Sequence, residues 1–340
     1  MVFAGRDLRS AQSLPYQCHN HRRRNGVGAP VKVSPYRDWP KKIRPVFPPN
    51  AGRYFFALCR KVDDNTGHMR ILSWNINSIR KRLDQLKRIA DDYAPDVLCL
   101  QETKVGDLSF PHDVVASLGF AHRATYGFGG YNGVAILSRH PLHNVEQHTR
   151  RGKADGRHIS AIVTPKDRAA FSVHSLYVPA GGEAPDPRIN DKFADKLKFI
   201  DDTADHFAAA YGFRDPVVLT GDLNIAPLPS DVWDHHKMQK RIGHTDLDIA
   251  AMDRLRRSLN WIDVVREVVP QDDPVFTWWS YRQSEFRTDS KGWRLDHIWV
   301  SPGLKDNIHT AEVLVDVRHW TPPSDHAPVM MTLKTDHQSP

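Results

Sequence analysis

The sequence predicts an α/β protein in which two β-sheets stack face to face with helices outside them, and three observations carry that prediction. Short, almost wholly apolar runs recur along residues 69–340, as expected of strands covered on both faces. Longer stretches with apolar residues at helical spacing separate only some of these runs, too few for strict strand–helix alternation. No internal repeat and no linker-like boundary divides the segment.

Taken in order, Arg70–Trp74 reads as the first strand, and Ile79, Leu83, Leu86 and Ile89 then mark one face of a single helix over 78–93. Further strands are VLCL at 97–100, VAIL at 134–137, FSVHSLYV at 171–178, VVLT at 217–220, DHIWV at 296–300 and VMMTL at 329–333. Long helices are expected over 187–211 and 246–260. The stretch YGFGGYNGVAIL at 126–137 imitates a phosphate-binding loop. Such loops open a helix, whereas here a strand follows, so it reads as a flexible turn.

The net charge of +7 is unevenly placed: residues 1–68 carry 13 Lys+Arg against 4 Asp+Glu, leaving 34 against 36 in the remainder. With seven prolines, the run HRRRNG and no sustained period, this leading segment cannot bury a core. It reads as a disordered basic extension, and three origins are open: a start assigned upstream of Met69, a nucleic-acid-binding tail, or a transit peptide. Residues 69–340 are then the catalytic domain, and any polyanion must be met by a local face. Three cysteines without CxxC spacing suggest neither a disulfide framework nor structural zinc. The adjacent His235 and His236 lack thiol partners and read as exposed. No run is long and apolar enough for a transmembrane helix, so the expectation is a soluble, cytoplasmic protein without a membrane partner.

Polar, metal-competent residues stand immediately after or before the buried runs. Asn75 and Asn77 follow the first, Glu102 the second, and Asp222 and Asn224 follow VVLT; Asp296 opens DHIWV, and Asp325 and His326 precede VMMTL. Singly, an Asn or Asp at a strand end is a turn or cap residue. Together they form an oxygen-rich set with one imidazole and no thiolate, which suits Mg²⁺ or Mn²⁺.

The order and neighbours of these residues, in SWNIN, QETK, LYVP, GDLNIAP, GWRLDH and SDHAPV, resemble the exonuclease III family of the endonuclease/exonuclease/phosphatase superfamily, which includes the abasic-site endonucleases. The resemblance runs from Met69 to the end of the chain. It implies a four-layer sandwich of two mixed β-sheets flanked by helices. It also implies a Mg²⁺-dependent nuclease, with Mn²⁺ as an alternative ion, cleaving double-stranded DNA 5′ to abasic sites and at normal or blocked 3′ ends, as a monomer.

Carried over residue by residue, the resemblance makes Glu102 the principal metal ligand, with Asn75, Asn77 and Asp325 near the same ion or its waters. Asp222 would position or deprotonate the attacking water, and Asn224 would orient it or bind phosphate, both close enough to count among the metal-site residues. His326, oriented by Asp296, would contact the scissile phosphate, and the Tyr177 phenol would donate to phosphate or assist the leaving group. Trp278, Trp293 and Leu295 would wall an apolar pocket that admits a sugar lacking its base, and Arg282 would enter the duplex. Basic clusters at 80–82, 150–153, 237–241 and 254–257 are either phosphate contacts or ordinary solvated faces. Ala180 stands where many relatives have an amide, which leaves open the balance among abasic-site incision, 3′-phosphodiesterase and exonuclease activities. The competing readings are a superfamily phosphatase with a non-DNA substrate and a DNA-binding module without activity.

Overall fold

The computed structural model describes residues 68–282 and 290–334; the expected leading extension falls outside them apart from His68. Among the described residues, twelve strands make two six-stranded sheets. The first runs in the order β11 (Ile308–Val313), β12 (Val329–Leu333), β1 (Met69–Asn75), β2 (Val97–Gln101), β4 (Val134–Ser138) and β3 (His122–Tyr126). The second runs β5 (Leu142–Gln147), β6 (His158–Val163), β7 (Phe171–Tyr177), β8 (Val217–Asp222), β10 (Asp296–Val300) and β9 (Ile262–Asp263). Each sheet is mixed, because β1 and β2 pair in parallel, as do β7 and β8, while the other neighbours are antiparallel.

The period of two explains how the runs serve two layers at once. In β1, Met69 and Ile71 join the core between the sheets, whereas Leu72 and Trp74 point outward to a second core under helix α1 (Leu83–Asp92) and α2 (His112–Ser117). In β8, Val218 faces the inter-sheet core, and Val217 and Leu219 pack beneath α3 (Asp191–Ala210). Three shorter or flanking helices complete the set: α4 (His235–Met238), α5 (Asp246–Ser258) and α6 (Val264–Val268). Helix α5 packs with α3 over the outer face of the second sheet. The layers are therefore helix, sheet, sheet, helix, the four-layer sandwich expected. Among the described residues, no helix is long and apolar enough to cross a membrane.

The differences from expectation have local causes. The single helix expected over 78–93 is a 3₁₀ turn at Ile79–Lys81 followed by α1. Ser78 takes φ 86, and the Arg82 side chain turns inward to the Asn77 and Pro323 carbonyls. Helix α3 starts at Asp191, where the Asn190 carboxamide accepts from the Lys192 and Phe193 N–H groups. Strands β3, β5, β9 and β11, absent from the sequence reading, are all sheet edges, and β5 is mostly exposed. Strand β6 was hidden by His158 and Ser160, polar residues on the face that an apolar run would occupy. The glycine-rich stretch is a turn held at its ends: a Cβ on Gly133, at φ +90, would lie 2.2 Å from Thr103 Oγ1, and one on Gly127 2.2 Å from the Val105 carbonyl.

A buried ionic network closes the end of the second sheet. Arg294 forms a two-pronged contact with Asp231, Nε to Oδ1 at 2.7 Å and Nη2 to Oδ2 at 3.0 Å, and reaches Asp263 Oδ2 at 2.7 Å. Arg266 adds a second guanidinium to Asp231. Burial works against the charged forms of both aspartates, but the guanidinium charges hold them below the usual carboxylate range. Replacing Arg294 by Met is expected to destabilise the fold by about 3–5 kcal/mol, because it strips a partner from buried carboxylates. An unchanged urea midpoint would refute the expectation.

Candidate active site

Sheet topology alone gathers the polar strand ends. Parallel β1 and β2 end side by side, Asn75 opposite Gln101, and antiparallel β12 begins at that edge just after Asp325 and His326. In the second sheet Tyr177 stands opposite Asp222, and Asp222 opposite Asp296. Within the first rim, the segment before β12 is tied to β1: the Ser324 hydroxyl donates to the Asn75 carbonyl at 2.7 Å, and the Trp74 indole N–H to the His326 carbonyl at 3.3 Å; across the rims, the Gln101 amide donates to Ser175 Oγ at 3.1 Å.

Between the rims lies a cluster of charges. The Asn75 amide donates to Glu102 Oε1 and to Asp222 Oδ2, each at 2.9 Å, while its oxygen accepts from the Asn77 N–H. His326 Nδ1 lies 2.8 Å from Asp296 Oδ2, and Nε2 lies 3.7 Å from Asp222 Oδ2. The Tyr177 phenol faces the Glu102 and Asp222 carboxylates, whose negative charges act on it. Asn224 donates its backbone N–H to Asp222 Oδ1 at 3.0 Å and its side-chain amide to the Val178 carbonyl at 2.8 Å. Asp325 accepts from Asn77 at 2.9 Å and from the Trp278 indole at 3.0 Å. Asn77, Ser78, Glu102, Lys104 and Asn224 all have positive φ, so backbone strain gathers at this rim, as it does at functional sites.

The protonation states follow from burial and neighbours. Burial would lower His326, but the Asp296 and Asp222 carboxylates more than offset it and raise the imidazole to about 10. Burial pushes Asp222 up to about 7, with His326 opposing and Asp296 adding to the rise. For Glu102, burial is outweighed by hydrogen bonds from Asn75 and Lys104, which lower it. Tyr177 is driven well up by burial and by the negative charges of Glu102 and Asp222, so its phenol stays protonated. At neutral pH the cluster therefore sets an imidazolium and a phenol O–H against carboxylates.

Beside it, Trp278 and Trp293 form a short bridge and pack with Leu295, Ala226 and Val232. The third tryptophan, Trp279, is core. Arg282 is exposed at the edge of the described segment.

Comparison with known proteins agrees with this geometry. The Endonuclease/Exonuclease/phosphatase family model matches residues 72–326. The chain is 30% identical over 273 residues to an exodeoxyribonuclease III of Haemophilus influenzae, covering 78% of this chain and 100% of the relative. The chain belongs to the exonuclease III branch of the endonuclease/exonuclease/phosphatase family. Its fold matches an AP endonuclease of Archaeoglobus fulgidus with TM-score 0.72 and 28% identity, over 78% of this chain and 100% of the other. It also matches a 3′ phosphatase from Neisseria bound to a product DNA hairpin, with TM-score 0.69 and 30% identity, over 77% and 98% of the two chains.

Divalent-metal dependence is general in this family, and the donor set fits it. Glu102 and Asp222 offer carboxylate oxygens within 4.8 Å of each other, beside the His326 ring, which as an imidazolium has no lone pair to give. Two carboxylates at hydrogen-bonding range of one amide are a hard oxygen site. Both Asp325 oxygens, by contrast, are engaged by neutral donors.

Several residues of this family member's site escaped sequence reading. Lys104 Nζ contacts Glu102 Oε2 at 2.7 Å and Asn77 Oδ1 at 2.6 Å. Thr277 Oγ1 accepts from the N–H groups of Leu295 and Asp296, each at 3.0 Å. Lys196, fully buried, bonds Asp248 and the Asn224 carbonyl, each at 2.8 Å. A lysine within the apolar stripe Phe193, Ile200, Phe207 of α3 was a legible signal for it. The basic clusters resolve largely into structural contacts: Arg82 is buried, Arg151 pairs with Asp155 and Asp195, Arg254 with Asp201 and Asp205, and Arg256 and Arg257 with Asp253. His235 is half-buried, not exposed, and lies 2.9 Å from His244.

The His326 imidazole, observed by NMR in metal-free protein, should stay protonated through neutral pH and titrate near 10. Because its folded value is raised above 6.5, its stabilising contribution is complete below that pH and lost as pH rises through about 10. Asp296→Asn should bring the titration down; a titration at the ordinary histidine value in the unaltered protein would contradict this account.

Proposed function

We propose that this chain is a DNA-repair nuclease that hydrolyses phosphodiesters 5′ to abasic sites and at the 3′ ends of double-stranded DNA, with Mg²⁺ as its ion and Mn²⁺ able to replace it. The observation that carries this reading is the contiguity of a carboxylate–imidazolium cluster with the apolar cluster of Trp278, Trp293 and Leu295, Trp278 bridging to both Trp293 and His326. The first is chemistry for a phosphodiester; the second is a place for a sugar without its base.

In this reading Asp222, its carboxyl raised to about 7, takes a proton from the attacking water as the new P–O bond forms. A base poised near the working pH suits that transfer. Asn224, locked to Asp222 and Val178, orients the water or the phosphate. The His326 imidazolium, held by Asp296, donates to a phosphoryl oxygen and stabilises the added negative charge of the transition state. The Tyr177 phenol donates to the phosphate or to the departing 3′ oxygen. Glu102, with Asp222, Asn75, Asn224 and Asp325 around it, would hold a divalent ion, which would supply positive charge to neutralise phosphoryl oxygens and a leaving alkoxide. Asn77 and Arg282 contact the substrate backbone and the opened duplex.

All these groups come from one chain, which supports a monomer. The bacterial exodeoxyribonuclease relative supports a cytoplasmic enzyme that reaches the nucleoid through its substrate. The family match over 72–326 supports a catalytic domain at 69–340 and an extension at 1–68 that incision does not require.

Asp222→Asn should lower turnover at least ~10²–10⁴-fold while DNA binding persists; full activity in this variant would sink the mechanism. On a duplex with one synthetic abasic site, Mg²⁺ should give a single 5′ incision that EDTA abolishes. A product elsewhere would redirect the assignment. Trp278→Ala combined with Trp293→Ala should erode the preference for the abasic duplex over an intact one, and an unaltered ratio would remove the pocket from the specificity argument.

A further inference from the structure

Beneath α3, on the outer face of the second sheet, four histidines meet outside the site already described. His158 and His174 come from neighbouring strands β6 and β7, His148 follows β5, and His206 lies on α3. Their ring centroids are 4.1 to 6.2 Å apart. Nitrogens of His148, His158 and His174 fall within 4.8 Å of one another. His158 and His174 are fully buried, and His206 Nε2 is buried with no hydrogen-bond partner.

Burial, reinforced by the neighbouring positive charge of Arg150, keeps all four imidazoles neutral: His148 falls to about 3, His206 to about 4, and the two interior rings well below the ordinary value. Neutral imidazoles facing one another offer lone pairs without the proton competition that normally weakens a histidine site. The outer contacts are of the kind that orient metal-bound rings. His174 Nε2 is 2.9 Å from the Tyr211 hydroxyl, and His148 Nε2 is 2.7 Å from Ser160 Oγ. Exposed Glu146 stands at the mouth, 3.9 Å from His148 Nε2.

We propose that this cluster is a second metal site, distinct from the catalytic one, which takes a zinc-class transition ion through His148, His158 and His174, with His206 as the fourth ligand. A set of imidazole nitrogens with no carboxylate among them favours such an ion over Mg²⁺. Two features of the metal-free arrangement must give way. His158 Nε2 now lies 2.9 Å from His174 Nδ1, and Arg150 Nη2 lies 3.0 Å from His158 Nδ1. On binding, the His158 proton moves from Nε2 to Nδ1, the ring stays neutral, and Arg150 turns from it toward Asp202, whose charge already acts on it. Arg150 is therefore a competitor of the ion, and the hydrogen-bonded pair it supports is the metal-free state of the site.

The test uses the full chain, stripped with EDTA and returned to excess Mg²⁺, then titrated with Zn²⁺ and, separately, Co²⁺. One Zn²⁺ per chain should bind, and Glu102→Gln should leave that stoichiometry unchanged. His148→Gln and His206→Gln should each weaken binding at least ~10–100-fold, the range for loss of a supporting partner alone, and Arg150→Gln should tighten it. Bound Co²⁺ should show the intense visible bands of a four-coordinate nitrogen site, a readout that needs no variant. Absence of Zn²⁺ binding in excess Mg²⁺, weak six-coordinate Co²⁺ bands, or binding abolished by Glu102→Gln and untouched by the histidine variants would overturn the proposal.

Discussion

One carboxamide holds the two halves of the charged rim at a fixed separation. Asn75 ends the central strand of the first sheet, and its side-chain amide donates to Glu102 of the same sheet and to Asp222 of the other. Two buried carboxylates this close repel each other and lose solvation, so their approach is tolerated only where donors and cations surround them. Asn75, Lys104 and His326 provide that surround, and the sandwich keeps them there because each stands at the end of a strand buried on both faces.

The same logic extends one layer outward. Asp296 is placed by its register with Asp222 and by Thr277, whose hydroxyl takes both its N–H and that of Leu295. Arg294, between Trp293 and Leu295 of the apolar cluster, is clamped by Asp231 and Asp263. Lys196 ties the Asn224 turn to Asp248, which in turn accepts from Gly243 and Thr245 in the turn packed on Trp293. Buried ion pairs add little net stability against apolar alternatives, but they fix geometry. Here they tie the charged cluster to the apolar cluster of Trp278, Trp293 and Leu295.

Much of the fold was legible because central strands are buried on both faces and leave continuous apolar runs: β1, β2, β4, β7, β8, β10 and β12 were all expected. Edge strands were not, since solvent on their open side admits residues such as His143, Glu146 and Thr310, which look like loop. The candidate site residues were legible through position, each beside such a run, and through motifs that resemble one family. Lys104 and Thr277 were not, because a lone Lys or Thr carries no local sign of its contact, and Lys196 stood out only as a lysine within an apolar helix stripe.

By itself, the sequence determined the alternation that assigns Ile71 and Leu72 to different cores, the oxygen-rich inventory of the strand ends, and the family to which those motifs point. Only the tertiary structure decided which of these residues meet, because strand order and register, not spacing, bring Tyr177, Asp222 and Asp296 to one edge. It alone set their charge: the same Asp222 that is an ordinary carboxyl in an unfolded chain is raised to about 7 when buried beside Asp296. And it alone assembled four histidines from 148 to 206, since residues from three strand segments and a helix share a space only once a sheet has formed and a helix has packed over it.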